Sequence, residues 1–268
     1  MAASVHGVPG SLGVALPEGL RAAIAEVEVA GGHVALEVRL PDRRCLVHRQ
    51  AVPVRSMSTI KLAILAELYR QADAGTISLA ERHRVRVDEQ VGGTGVLGLL
   101  DAGLEPTLGD LATLMVVVSD NTAANLLAER LGHAAVHDGL RRMGLTTTRL
   151  GRPFGDRLAR PGEQESVTTA AELVALLVAV VNAAAASPRA ARIMTELLRA
   201  AAEMRDARTV AGAPWIGKHG FGEGVWADVG FADLPAGRLY AAVLVEDVPD
   251  GLDASGLVAR LVELAVES

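Results

Sequence analysis

The sequence has few aromatic residues, one cysteine, no long apolar run and no concentration of basic residues. Phenylalanine, tryptophan and tyrosine make up 3% of 268 residues, against 50% apolar residues in all. The core must therefore be aliphatic, built mostly from Ala, Val and Leu, and rich in helix. The single cysteine, Cys45, excludes a disulfide within the chain. It sits in Arg44-Cys45-Leu46-Val47, a strand pattern, where a buried thiol is inert. The opening from Met1 to Leu20 has no basic region followed by an apolar one, and no stretch is long enough to span a bilayer. That pattern is expected of a cytoplasmic protein without a membrane partner. The 26 basic residues are scattered and outnumbered by 32 acidic ones, for a net charge of −6. A nucleic-acid partner, which needs a basic stripe, is excluded. No residue set has metal-ligand spacing and no glycine loop has a phosphate-cradling pattern, so no metal and no cofactor are expected.

What is present is an orderly alternation of elements. Residues 1–16 are punctuated by Gly and Pro and read as a loose segment, followed by one domain over 17–268. Pro17-Glu18 opens a helix with Leu20, Ala23, Ile24 and Val27 on one face. Strands follow at 33–40 and 44–49. Helices are expected over 59–72, 107–118, 121–130, 133–143, 168–185 and 188–202, with Thr107 capping the second of these and Asp110 in its first turn. Strands return at 215–218, 225–232 and 238–246, the last two a hairpin around Leu234-Pro235-Ala236-Gly237. A helix over 255–267, capped by Ser255, closes the chain. Strands at both ends with helices between make an α+β fold in which late strands pair with early ones. The helical lobe, roughly residues 58–205, stands aside.

Three short motifs carry chemistry. Ser58-Thr59-Ile60-Lys61 lies at a helix start, so Ser58 and Lys61 share one face. A serine hydroxyl needs a base to become a nucleophile, and a desolvated lysine can serve. Ser119-Asp120-Asn121 separates two helices, and Lys218-His219-Gly220 ends a short strand before a glycine-rich turn. Alone, these read as a helix cap, a turn and a strand-edge lysine. One detail resists the bland reading: Ile60, Leu62, Ala63, Ile64 and Leu65 give Lys61 an unusually apolar setting.

Together, the motifs resemble the set of class A β-lactamases and penicillin-binding proteins. The likeness extends through Leu108-Gly109-Asp110-Leu111-Ala112-Thr113-Leu114-Met115, Thr122-Ala123-Ala124-Asn125-Leu126-Leu127 and Asp228-Val229-Gly230. It implies a β-lactamase/transpeptidase-like fold, an antiparallel five-stranded sheet flanked by helices with an all-helical lobe. It also implies a small-molecule substrate, a β-lactam or another amide or ester, and acyl transfer through Ser58. Lys61 would take the serine proton, Ser119 would relay one to the leaving nitrogen, and Asn121 would hold the substrate amide and touch Lys61. Lys218 would attract a substrate carboxylate and lower the pKa values of Ser119 and Lys61. The backbone N–H groups of Ser58 and Phe221 would form the oxyanion hole beside Gly220.

The sequence also departs from the family. The Glu-x-x-Leu-Asn segment that activates the deacylating water has no counterpart in residues 150–163. The neighbouring carboxylates are Asp156, Glu163 and Glu165, expected to pair with Arg152, Arg157 or Arg160; Asp156 is the possible substitute base. His219 replaces the usual hydroxyl residue, the strand from Val225 offers no arginine for a substrate carboxylate, and Arg260 on the last helix is a candidate to compensate. The loop Gly92-Gly93-Thr94-Gly95 lacks an aromatic. Impaired or altered deacylation follows as an expectation. An esterase, amidase or acyltransferase of the same fold, and a non-catalytic ligand-binding member, stay open, as does the oligomeric state.

Overall fold

A computed structural model describes residues 12–155, 160–204, 208–248 and 251–267. The chain begins with β1 (Leu12–Gly13), α1 (Glu18–Val29), β2 (His33–Arg39), β3 (Arg44–His48) and β4 (Val54–Arg55). A 3₁₀ turn, Met57–Ile60, leads straight into α2 (Lys61–Asp73). Then come α3 (Leu108–Val117), α4 (Asn121–Leu131), α5 (His133–Arg142), β5 (Val167–Thr168), α6 (Ala170–Val181) and α7 (Pro188–Glu203). The chain returns through β6 (Thr209–Val210), β7 (Ala213–Pro214), β8 (Ile216–Gly222), β9 (Val225–Leu234) and β10 (Gly237–Glu246) to α8 (Ala254–Val266).

The main sheet has the order β1-β3-β2-β10-β9-β8. Its five long strands are antiparallel, and the early β2 pairs with the late β10, His33 facing Glu246 and Arg39 facing Tyr240. Alternation along β10 divides two cores. Leu239, Ala241, Val243 and Val245 pack with α1 and α8, while Ala242 and Leu244 face the helical lobe. At the centre of that lobe, α2 is buried continuously from Lys61 to Tyr69. A helix buried on all its faces belongs in the middle of a bundle, and the two charged residues in that run, Lys61 and Glu67, are both hydrogen-bonded. Lys61 is fixed there by the packing of its neighbours.

The structure departs from the expected elements in several places, the short strands β4 to β7 among them. Leu12–Gly13, within the segment expected to be loose, pairs in parallel with Arg44 and Cys45. β8 runs to Gly222 instead of stopping at Lys218. Its glycines lower strand propensity and hide it from pattern reading. They are needed for close packing, since a Cβ on Gly217 would lie 2.0 Å from the Val229 carbonyl oxygen. Asp253, not Ser255, caps α8, its side chain accepting from the Gly256 N–H. α6 starts after its Thr169 cap and ends before Ala183, whose φ is 60°. Cys45 is half-buried, and burial followed by the charge of Glu37 pushes its thiol up to about 11. No helix among the described residues is long and apolar enough to cross a membrane.

A buried carboxylate ties α6 to the approach of the loop that follows α5. Glu172 is 5% exposed and accepts from the backbone N–H groups of Thr146, Thr147 and Thr148 and from Thr148 Oγ1 at 2.6 Å. Burial alone would raise its pKa, but these hydrogen bonds outweigh burial and hold it below the ordinary 4.5. The stability this gives is therefore present above the ordinary value and lost as pH falls through the lower folded one. Glu172→Gln is expected to cost about 2 kcal/mol at neutral pH and lower Tm by about 5 °C. In thermal melts, the gap from the wild type should narrow below about pH 4.5.

Candidate active site

Ser58 lies in the 3₁₀ turn, between β4 and α2. The turn is anchored through Ser56, whose N–H donates to the Ser166 carbonyl at 2.9 Å and whose carbonyl accepts from Thr59 N–H and Oγ1. Met57 just before Ser58 has φ 47°, a conformation that costs a non-glycine residue about 1 kcal/mol or more. The sheet edge approaches from the other side. A Cβ on Gly220 of β8 would lie 2.2 Å from the Ser58 nitrogen and 2.9 Å from its Cα. Only glycine at this point lets the strand lie against the serine backbone.

Lys61, one turn beyond, is 0% exposed and Lys218 is 1% exposed. Their side chains converge on Ser119. Lys61 Nζ donates to the Ser119 carbonyl at 2.5 Å, to Asn121 Oδ1 at 2.9 Å and to Ser119 Oγ at 3.3 Å. Lys218 Nζ donates to the same Oγ at 2.9 Å and to the His219 carbonyl at 2.8 Å. One hydroxyl thus links the two amines. Ser119 reaches it with φ 57°, a second strained backbone.

That conformation is pinned by its neighbours. Asp120 caps α4, accepting from Ala123 N–H, and its other oxygen takes the N–H groups of Val96 and Leu97 at 2.7 Å. Gly95 packs against Asp120 so closely that a Cβ there would lie 2.3 Å from Oδ2. Thr94 Oγ1 donates to the Ser119 carbonyl at 2.7 Å, and Asn121 N–H returns a bond to Thr94 O at 3.0 Å. Asn121 Nδ2 donates to Gly92 O. The loop that lacks the expected aromatic thus serves instead as the brace behind Ser119.

The loop after α5 forms the opposite wall. Asp156, the expected substitute base, lies outside the described residues. Glu165 lines the cleft and is held by Arg152 Nε at 2.9 Å; Glu163 accepts from Arg160 N–H at 2.8 Å. Among the described residues of this loop, Phe154 reaches Lys61, its ring centroid 4.7 Å from Nζ. Asn125 of α4 fixes Phe154 from both sides, donating to its carbonyl at 3.0 Å and accepting its N–H at 2.8 Å. Arg260 does not reach the site, since it pairs with Glu26 of α1 at 3.0 Å.

A cleft of about 740 Å³ lies among these walls and is lined by Ser58, Ser119, Asn121, His219, Gly220 and Phe221, among others. The structure therefore brings together the nucleophile candidate, both lysines and the strand residues expected from the motifs. Sequence reasoning missed Thr94 and Phe154, whose roles depend on the path of their loops. It also passed over a plain compositional signal. The chain has only two lysines among its 26 basic residues, Lys61 and Lys218, and both are buried here.

The beta-lactamase enzyme family model matches residues 18–268. The structure of a beta-lactamase from Sphaerobacter thermophilus DSM 20745 is 33% identical, with 92% of this chain and 95% of that chain covered and a TM-score of 0.86. A beta-lactamase from Desulfarculus baarsii DSM 2075 is 26% identical, covering 92% of this chain and 96% of that one, with a TM-score of 0.80. PBP-A shares the fold at 23% identity and a TM-score of 0.85, over 97% of this chain and 98% of its own. The match over nearly the whole chain and the 33% identical relative agree with the fold, and the chain belongs to the beta-lactamase enzyme family.

Proposed function

We propose that this protein is a class A β-lactamase-related serine hydrolase that opens a β-lactam-type amide through an acyl-Ser58 intermediate, with slow deacylation. The observation that carries the first half is the convergence of Lys61 and Lys218 on Ser119 Oγ beside Ser58. In acylation, Lys61 enters as the neutral amine, keeping two donor bonds, to the Ser119 carbonyl and Asn121 Oδ1, while its lone pair takes the proton that leaves Ser58 Oγ as that oxygen bonds to the substrate carbonyl carbon. The carbonyl oxygen becomes an oxyanion received by the N–H groups of Ser58 and Phe221. The C–N bond then breaks, and the leaving nitrogen takes a proton from Ser119 Oγ, which is resupplied from the lysines. Asn121 orients the substrate amide, and Lys218 with His219 meets the portion beyond the leaving nitrogen.

The second half rests on Phe154. Hydrolysis of the ester needs a water and a base beside it. Among the described residues, an apolar ring lies against Lys61 on the side of the loop, and the carboxylate that lines the cleft there, Glu165, is engaged by Arg152. This wall protects an acyl-enzyme from water. The same protection favours a second reading, acyl transfer to a nucleophile other than water, over a freely hydrolytic esterase. A variant of PBP-A, a protein of the same fold, has been captured as an acyl-enzyme with penicillin G.

Intact-mass measurement after mixing with benzylpenicillin should show a stoichiometric adduct that persists for minutes or longer and is absent in Ser58→Ala. Absence of any adduct or turnover sinks the acylation reading; prompt release without accumulation sinks the slow deacylation. Phe154→Glu is expected to speed loss of the adduct by about 100-fold, the lower end of general-base catalysis. Gly220→Ala forces β8 and the Ser58 turn apart, and acylation should fall about 100-fold, as a misplacement near 1 Å implies, while circular dichroism stays that of the wild type.

A further inference from the structure

A second cavity lies in the helical lobe, walled by α2, by the end of α5 and by the turn between α6 and α7, and it shares no lining residue with the Ser58 cleft. Its volume is about 160 Å³, near the size that admits a single six-carbon ring. Its apolar lining comes from Ala63, Ala66, Leu140, Met143, Ala184 and Ala185. Glu67, Arg70 and Arg142 complete the wall. The Glu67 side chain is 1% exposed and accepts from Arg70 Nε at 2.7 Å and Nη2 at 2.6 Å, from Gln71 Nε2 at 2.8 Å and from Arg142 Nη2 at 3.2 Å. The two arginines lie further out, 38% and 51% exposed. Among the described residues, Arg70 Nη1 and Arg142 Nε and Nη1 have no protein partner.

A clamp between α2 and α5 accounts for the ion pairs but not for the space beside them. Packed helices otherwise interdigitate with few voids larger than a water molecule. Here α5 carries a buried glycine in its interior, Gly139, an unfavourable residue for a helix. A Cβ there would lie 2.9 Å from Glu67 Oε2 and 3.5 Å from Arg142 Nη2. The glycine lets the carboxylate lie against α5, beneath the two guanidiniums. Charge then selects the ligand. The charged residues of the lining are one carboxylate and two guanidiniums, an excess of one positive charge. The adjacent Arg141 and Asp138 pair with each other. A monoanion balances the excess, whereas a dianion would bring surplus negative charge beside Glu67. The free N–H groups of a guanidinium fork match a carboxylate, and the alanines and Met143 take an apolar body out of water.

We propose that this cavity is a binding site for a small monocarboxylate with a compact apolar body about the size of one ring. Arg70 and Arg142 receive the carboxylate, and the body rests on Ala63, Ala66 and Met143. The site does not depend on acylation at Ser58. Ala63 and Ala66 follow Lys61 on α2, so a bound ligand lies against the helix that holds the lysine.

The probe is benzoate, with benzamide as its uncharged isostere, followed by NMR of isotopically labelled methionine methyl groups. Met143 reports on this cavity, and Met57 and Met204 report on the Ser58 cleft. Met143→Leu assigns the resonance. Benzoate should move the Met143 signal and saturate by about 10 mM, since a ligand of this size reaches roughly millimolar affinity. It should bind about tenfold tighter than benzamide, the lower end of what a hydrogen bond to a charged group gives. Arg142→Gln removes the excess charge at an exposed position and should abolish that preference. Arg141→Gln removes the same charge from the adjacent residue and should keep it. An unmoved Met143 signal, with or without movement of Met57 and Met204, overturns the site. So does equal affinity for benzamide in the wild type, a result that needs neither arginine variant, or an equal loss in both variants.

Discussion

The oxygen of Ser119 is shared by two buried lysines, and much of the surrounding structure serves that contact. Taking an ammonium-sized group out of water is costly unless protein oxygens replace the lost solvent. Here, the carbonyls of Ser119 and His219, the Asn121 amide and the Ser119 hydroxyl do so. Each of these acceptors belongs to a backbone that cannot move freely. Asp120 locks the start of α4 onto residues 96 and 97, Thr94 locks it from behind, and the edge strand is pressed against Ser58 at Gly220. The left-handed backbone at Met57 and Ser119 is tolerated because these surroundings determine it.

The opposite wall follows a different principle. Its contribution comes from backbone positioning of an apolar group, Phe154, held by a side-chain amide that bonds both its N–H and its carbonyl. The lysine side of the cleft is rigid and polar, and the loop side covers it with a ring. Among the described residues, the groups that converge on Ser119 are polar, and the loop sets an apolar ring against Lys61.

The sequence made the polar half legible and left the apolar half hidden. Ser58, Lys61, Ser119 and Lys218 lie in three short motifs that are bland when taken singly, and they became legible because the three together resemble a known set. The paired ends of the chain were likewise readable from strands at 33–48 and 216–246 surrounding a helical middle. Phe154 was not readable, because its position over Lys61 depends on hydrogen bonds to Asn125, 29 residues away. Thr94 acts through a loop whose glycines signal only a turn. The length of β8 was obscured by glycines required by neighbouring backbone, and Ser255 drew attention from Asp253, whose carboxylate reaches Gly256. Long-range packing decided the first three of these, and periodicity does not encode it; the cap was a choice between two local candidates.

With both of its lysines enclosed, the protein carries its other positive side chains as arginine and histidine. Lysine is thus confined to the cleft, and the guanidinium, which does not titrate in the working range, supplies most of the ion pairs elsewhere among the described residues. Isotopic labelling of lysine alone would therefore yield two side-chain resonances, both from the cleft and neither obscured by a surface amine.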